Sequence, residues 1–86
     1  MKPNYTVIWW EAALNEITEI WMRSLSPQQL SEEVDAVEHD LKFRPETVGV
    51  ALDEGNRFVE LSELIIYFKI KELDRIVAVT RIRLRP

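Results

Sequence analysis

From Trp10 the apolar residues fall at positions 10, 13, 14, 17, 20, 21 and 25, with Glu11, Asn15, Glu16, Thr18 and Glu19 between them. That is the spacing of one helical face and predicts a first helix. Ahead of it "YTVIW" is short and rich in β-branched and aromatic residues, so residues 4–9 read as a strand. "SLSPQQL" then stops the helix and starts another. Ser26 is placed as an N-cap, Pro27 suits the first helical position, and Gln29 stands where a capping box wants Glu or Gln. The second helix runs to about Lys42 with a narrow stripe of Leu30, Val34, Val37 and Leu41. So short a break between two helices predicts an antiparallel hairpin.

Pro45 ends the helical pattern, and "VGVALDEGNRFVEL" reads as strand, glycine turn, strand. Ser62 and Glu63 separate this from "LIIYFKIK", and Glu72 to Asp74 separate that from "RIVAVTRIRLR", so the last three strands are expected as an antiparallel meander. The architecture is α+β in the order β-α-α-β-β-β. A helical hairpin covers one face of a mainly antiparallel sheet, and residues 1–86 form a single domain.

Alternation divides each closing strand between two faces. Leu64, Ile66, Phe68 and Ile70 oppose Ile65, Tyr67, Lys69 and Lys71. Ile76, Ala78, Thr80, Ile82 and Leu84 oppose Val77, Val79, Arg81, Arg83 and Arg85. A turn centred on Leu73 pairs Lys71 with Arg75, Tyr67 with Val79 and Ile65 with Arg81. The helices then cover the first sets and leave an open face of Phe58, Glu60, Ile65, Tyr67, Lys69, Val77, Val79, Arg81, Arg83 and Arg85. A bare surface of that mixture predicts a ligand or partner.

Composition narrows the chemistry. The chain has no cysteine and a single histidine, His39, so a thiolate metal site, a histidine cluster and a disulfide framework are excluded, and neither a metal nor a cofactor is expected. "MKPNYTVIWWEAA" is neither a signal peptide nor long enough to span a bilayer, which predicts a cytoplasmic protein with no membrane partner. The net charge of −4 conceals an asymmetry: residues 1–56 carry four basic and eleven acidic side chains, residues 57–86 seven and four. Only the second part can attract an anionic partner.

"YTVIWWEAALNEI", the proline exit "LKFRPETVG" and the closing "RFVELSELIIYFKIKELDRIVAVTRIRL" together resemble the RelE/ParE superfamily of toxins from type II toxin–antitoxin operons, plasmid stabilisation proteins among them. "LIIYFKI" is similar to that family's "RiiY.v" strand and "RIVAVTRIR" to its last strand, which typically ends in a basic residue. The resemblance implies an antitoxin partner and a target that is either mRNA in the ribosome or DNA gyrase. It also implies, for the RNA-cleaving branch, basic residues on the strand matching 57–61 and an arginine opening the next strand. Phe58, Glu60 and Leu64 stand at those places, and only Arg81 or Arg83 matches a functional basic position.

Metal-independent RNA cleavage needs a base, an acid and a cation beside the phosphate. Glu60 with Arg81 and Arg83 is the candidate catalytic set, and Tyr67 is the only acid on that face. The plainer reading makes Glu60 a cross-strand ion-pair partner of Arg81. Likewise the arginine row serves either as edge protection or as a site for phosphate or carboxylate. Phe58, Ile65, Tyr67, Lys69, Val77, Val79 and Arg85 are the expected binding residues. His39, opposite the apolar stripe of its helix, reads as solvated, and Trp9, Trp10 and Trp21 read as packing residues. The function so predicted is that of a toxin, with a non-toxic, catalytically inactive interaction module of the same fold as the alternative.

Overall fold

The computed structural model describes residues 4–86. Its elements are β1 Thr6–Trp9, α1 Glu11–Arg23, α2 Pro27–Phe43, a 3₁₀ turn at Pro45–Thr47, β2 Val50–Asp53, β3 Asn56–Glu60, β4 Leu64–Lys71 and β5 Ile76–Leu84. The five strands make one sheet in the order β1-β5-β4-β3-β2. β2 through β5 are joined as antiparallel neighbours, while β1 lies parallel to β5, beside its first four residues, Ile76 to Val79. This is the expected α+β arrangement, with one strand more after the helical hairpin than the order β-α-α-β-β-β counts, because β2 and β3 are separate strands on either side of the Gly55 turn.

The strand expected over 4–9 begins at Thr6, because the backbone N–H groups of Asn4 and Tyr5 both donate to the Lys42 carbonyl instead of to a strand. Tyr5 is buried beside the β4–β5 turn. Its hydroxyl donates to the Glu72 carboxylate, and the Arg75 guanidinium lies 5.1 Å from its ring centroid. Ser26 is the N-cap residue of α2 and Pro27 opens the helix as predicted, but the capping box does not form. The Ser26 N–H donates to Ser24 Oγ, and Gln29 turns outward to donate to Glu33.

The core lies between the helices and one sheet face. Ala13 of α1 and Leu30 and Leu41 of α2 pack over Leu64, Ile66 and Phe68 of β4 and Val77, Val79 and Ile82 of β5. Val34 and Val37 flank them, so the predicted α2 stripe is the stripe that is buried. Fully burying side chains of this size contributes roughly 1.5–3 kcal/mol each, which is how so thin a core holds the sheet to the hairpin. Trp9 packs at the margin of the core, where its indole N–H donates to Glu38.

Three expectations about faces are corrected. The apolar arc of α1 is wider than the surface it buries. Ala13, Ile17 and Ile20 face the core, whereas Trp10, Leu14, Trp21 and Leu25 are left outside, with Leu25 fully exposed. The second correction is to register. β4 and β5 pair Lys71 with Ile76 and Phe68 with Val79, then shift by one residue, so that Tyr67 faces Arg81 and Ile65 faces Arg83. Thr80 is the extra residue of this bulge.

The third correction follows from the second. One inserted residue reverses which face the following side chains occupy. On the turn side of the bulge Val77 and Val79 point into the core and are 0% exposed, so they are not binding residues of the open face. Past the bulge Ile82 is the core residue, and Arg81 and Arg83 rejoin the face of Tyr67 and Ile65. Lys69 and Phe58 lie on that face as expected, with the Phe58 and Tyr67 rings 6.1 Å apart across β3 and β4.

Candidate functional site

The open face carries a hollow of about 350 Å³ lined by Leu52, Asn56, Tyr67, Thr80, Arg81 and Arg83, among others. β2 and β3 supply one wall and β5 the other. The aromatic ring of Tyr67 stands between them because β4 is the central strand. Asn56 is held at its edge by a side-chain hydrogen bond of 2.7 Å to Asp53. The wall from β2 depends on Gly49, whose φ of +64° turns the chain into that strand against the Phe58 carbonyl. Arg57 fixes the same turn, its guanidinium donating to the carbonyls of Val48 and Gly49.

The two arginines are positioned by a residue that the strand pattern does not reveal. β1 stops pairing at Trp9, opposite Val79, and the Trp10 N–H makes the last backbone bond to that edge. Beyond it β5 has an uncovered edge. Glu16 of α1 reaches across, accepting the Ile82 N–H at 2.9 Å through one carboxylate oxygen. Its other oxygen accepts from Arg81 Nε at 3.2 Å and from Arg83 Nη1. Arg81 Nη2 also stands 3.2 Å from that oxygen. One carboxylate thus holds two guanidiniums and an edge amide.

Arg85 belongs to a different group. Its guanidinium pairs with Glu60 at 3.2 Å and donates to the Leu61 carbonyl, closing the β3–β4 turn against the end of β5. The expected Glu60–Arg81 ion pair is therefore replaced by Glu60–Arg85 and Glu16–Arg81. The reason is geometric: Glu60 lies opposite Ile65, which lies opposite Arg83, and the strands end there next to Arg85. The structure brings Arg81 and Arg83 together with Tyr67 and leaves Glu60 outside, so the catalytic set expected from the sequence is not assembled.

The signal for Glu16 was present in the sequence. It stands three residues after Ala13 and four before Ile20, on the inward flank of α1, where a carboxylate requires a partner. His39 is exposed on α2, its ring 4.8 Å from that of Phe43. No helix among the described residues is long and apolar enough to cross a membrane.

A second surface lies on the other side of the molecule. Trp10, Leu14, Trp21, Met22 and Leu25 form an exposed apolar strip along α1. Beside it runs a groove of about 220 Å³ between the helices, lined by Ile17, Thr18, Trp21, Leu30, Ser31, Val34 and Asp35. The Trp21 indole N–H is anchored there to Ser31 Oγ at 2.9 Å, so its ring is fixed in place as the groove's wall.

No protein-family model and no curated protein sequence matches the chain. Solved structures do match. A chain of the RelBE2 toxin–antitoxin complex from Mycobacterium tuberculosis superposes with a TM-score of 0.74 at 23% identity, over 96% of this chain and 99% of that one. One from the chromosomal ParDE system of P. aeruginosa gives 0.71 at 15% identity, over 96% and 98%. The isolated E. coli RelE toxin gives 0.61 at 20% identity, over 95% and 85%. Because that last structure holds a toxin alone, the shared architecture is the toxin's. The fold is that of the RelE/ParE toxins, as the closing strands and the opening strand and helix had suggested.

Proposed function

We propose that this chain is the toxin of a type II toxin–antitoxin pair, acting in the cytoplasm through Arg81 and Arg83 and silenced by a cognate antitoxin. The observation that carries this reading is the arginine pair at the rim of the Tyr67 hollow, on a toxin fold that covers nearly the whole chain. Guanidiniums in that position engage an anionic group of the target bidentately. Inhibition by binding fits better than RNA cleavage. Glu60, the base expected from the sequence, is committed to Arg85, and Asp53, the carboxylate in the hollow's lining, accepts a hydrogen bond from Asn56.

The antitoxin segment is assigned to the helical hairpin. With Val77 and Val79 in the core, the longest run of exposed apolar side chains follows α1 beside its groove with α2, while Val50 and Leu52 of β2 stay exposed near the open face. The flanks are acidic, with Glu11, Glu19, Glu32 and Asp35 exposed around it. An amphipathic helix with an apolar stripe and basic margins fits that surface, and a second copy of this acidic hairpin does not.

Induced expression in bacteria tests the proposal. Growth should arrest, and co-expression of the adjacent small reading frame should restore it. Pulse labelling with methionine and with thymidine then separates a translational target from gyrase. Normal growth and normal labelling would favour the non-toxic interaction module.

A further inference from the structure

Two guanidiniums and one backbone N–H from three successive residues of β5 converge on the Glu16 carboxylate. Such a convergence is the donor set of an oxyanion site, and here a side chain of the same protein fills it. We propose that Arg81, Ile82 N–H and Arg83 form a phosphoryl-binding site and that Glu16 is its internal occupant, displaced when a phosphoryl group binds. The inference deepens the arginine role given above by naming the chemistry of the ligand and the residue that regulates access to it.

Several features make Glu16 displaceable. Its side chain keeps 23% of its surface in water, and those of Arg81 and Arg83 keep 48% and 50%, so exchange needs no opening of the core. The site also lies between two recesses. The Tyr67 hollow is on one side, and on the other is a cleft of about 470 Å³ lined by Glu16, Glu19, Ile20, Ile82, Arg83 and Leu84. Arg83 borders both, so its guanidinium reaches either recess by side-chain rotation. A phosphoryl group fits the donor set better than a carboxylate does. Both guanidiniums meet one carboxylate oxygen and the Ile82 N–H the other, and the half-exposed guanidiniums keep further N–H groups for the additional oxygens of a tetrahedral group. On the hollow side Tyr67 offers a stacking ring and Asn56 an amide N–H beyond the one it donates to Asp53.

The occupant has an electrostatic cost for the ligand. With Glu16 in place the three side chains carry a net charge of +1, and an incoming anion must displace a carboxylate as well as bind. Glu16→Gln removes the charge and keeps an oxygen for the Ile82 N–H, so the strand edge stays satisfied. In the half-exposed setting of these side chains, removal of one negative charge should tighten binding of a multiply charged anion roughly five- to tenfold.

The test is titration of purified wild type, Glu16→Gln and the double variant Glu16→Gln with Arg81→Ala, each checked by thermal melting. Pyrophosphate and a triglutamate peptide are the probes, and the Ile82 amide and the arginine Nε resonances are followed by NMR. The proposal predicts pyrophosphate binding that tightens in Glu16→Gln, returns toward wild type in the double variant, and outruns any gain for triglutamate. Unchanged or weaker pyrophosphate binding in folded Glu16→Gln would overturn the occupant role. A gain for triglutamate alone would overturn the phosphoryl assignment. Because the readout is binding by the isolated protein, it stands or falls separately from growth arrest: a gated site without toxicity would remove only the toxin reading.

Discussion

Tyr67 stands opposite Arg81, although its neighbour Phe68 stands opposite Val79. The intervening Thr80 is the bulge that lets one strand serve two purposes. Its turn-side half gives Val77 and Val79 to the core, and its far half gives Arg81 and Arg83 to the open face. Without the extra residue an alternating strand would place all four on the same side.

The bulge makes a sharp prediction about Val79. Val79→Asp should unfold the domain, because it buries a carboxylate at a position with no exposure and no cation among the core residues around it. A domain of this size is stabilised by only about 4–13 kcal/mol, and an unpaired buried charge consumes much of that. Loss of the circular dichroism signal at room temperature checks it. By contrast Leu14→Asp, on the exposed strip of α1, should leave the melting temperature nearly unchanged and abolish antitoxin capture in a pull-down.

Gly49 is the second prediction. A Cβ there would lie 1.9 Å from the Phe58 carbonyl oxygen at a φ that L-residues avoid. Gly49→Ala should cost at least about 2 kcal/mol, which corresponds to a fall in Tm of roughly 8–16 °C for a domain this small. The comparison is with Gly55→Ala, whose Cβ would meet the Ile70 carbonyl oxygen at 2.8 Å. The Gly49 change should be the worse of the two.

Acid sensitivity is predicted at Glu33. Its carboxylate accepts both the Ser62 hydroxyl at 2.8 Å and the Ser62 N–H at 3.2 Å, fastening α2 to the β3–β4 turn. The hydroxyl bond is the main cause that holds the Glu33 carboxyl below its ordinary value, with the backbone bond and Gln29 adding to it against the effect of burial. The folded state therefore favours the ionised form. Its contribution is complete above the ordinary glutamate range and is lost as the pH falls through the depressed folded value. Glu33→Gln should be less stable than wild type at neutral pH and converge with it on acidification. Melting curves from neutral pH down to about pH 3 measure the convergence.

Tyr5 supplies the alkaline counterpart. Its hydrogen bond to Glu72, then burial and the Glu72 charge, raise its hydroxyl above the ordinary tyrosine value, with Arg75 opposing. A raised folded value means the contribution is complete below the unfolded value and is lost as the pH rises through the folded one. Tyr5→Phe should be destabilised by roughly 1–2 kcal/mol at neutral pH and should approach wild type in strong alkali. Spectrophotometric titration should show one tyrosine ionising late in wild type and that late step absent from Tyr5→Phe.

Much of this architecture was legible along the chain. The α2 stripe, Pro27 at the helix start, the Gly55 turn and the order of elements all depend on short-range pattern, and the structure keeps them. The register was not legible, because a bulge is one residue whose side chain looks like any other in an alternating run: Thr80 between Val79 and Arg81 bears no local mark. Nor does periodicity show that β5 returns beside β1, a pairing of residues about seventy positions apart. The site was half legible. Strand alternation put Arg81, Arg83 and Tyr67 on one face, where the structure has them, whereas Glu16 comes from a helix that local pattern assigned only to packing.

The inhibitory act proposed for Arg81 and Arg83 is tested by bacterial growth after induction of wild type and of an Arg81→Ala, Arg83→Ala variant. Thermal melting must first show that the variant is folded, since the change also strips two donors from Glu16. Wild type should arrest growth, and the variant at equal expression should leave it normal. Arrest by both would rule out an inhibitory role for the two arginines.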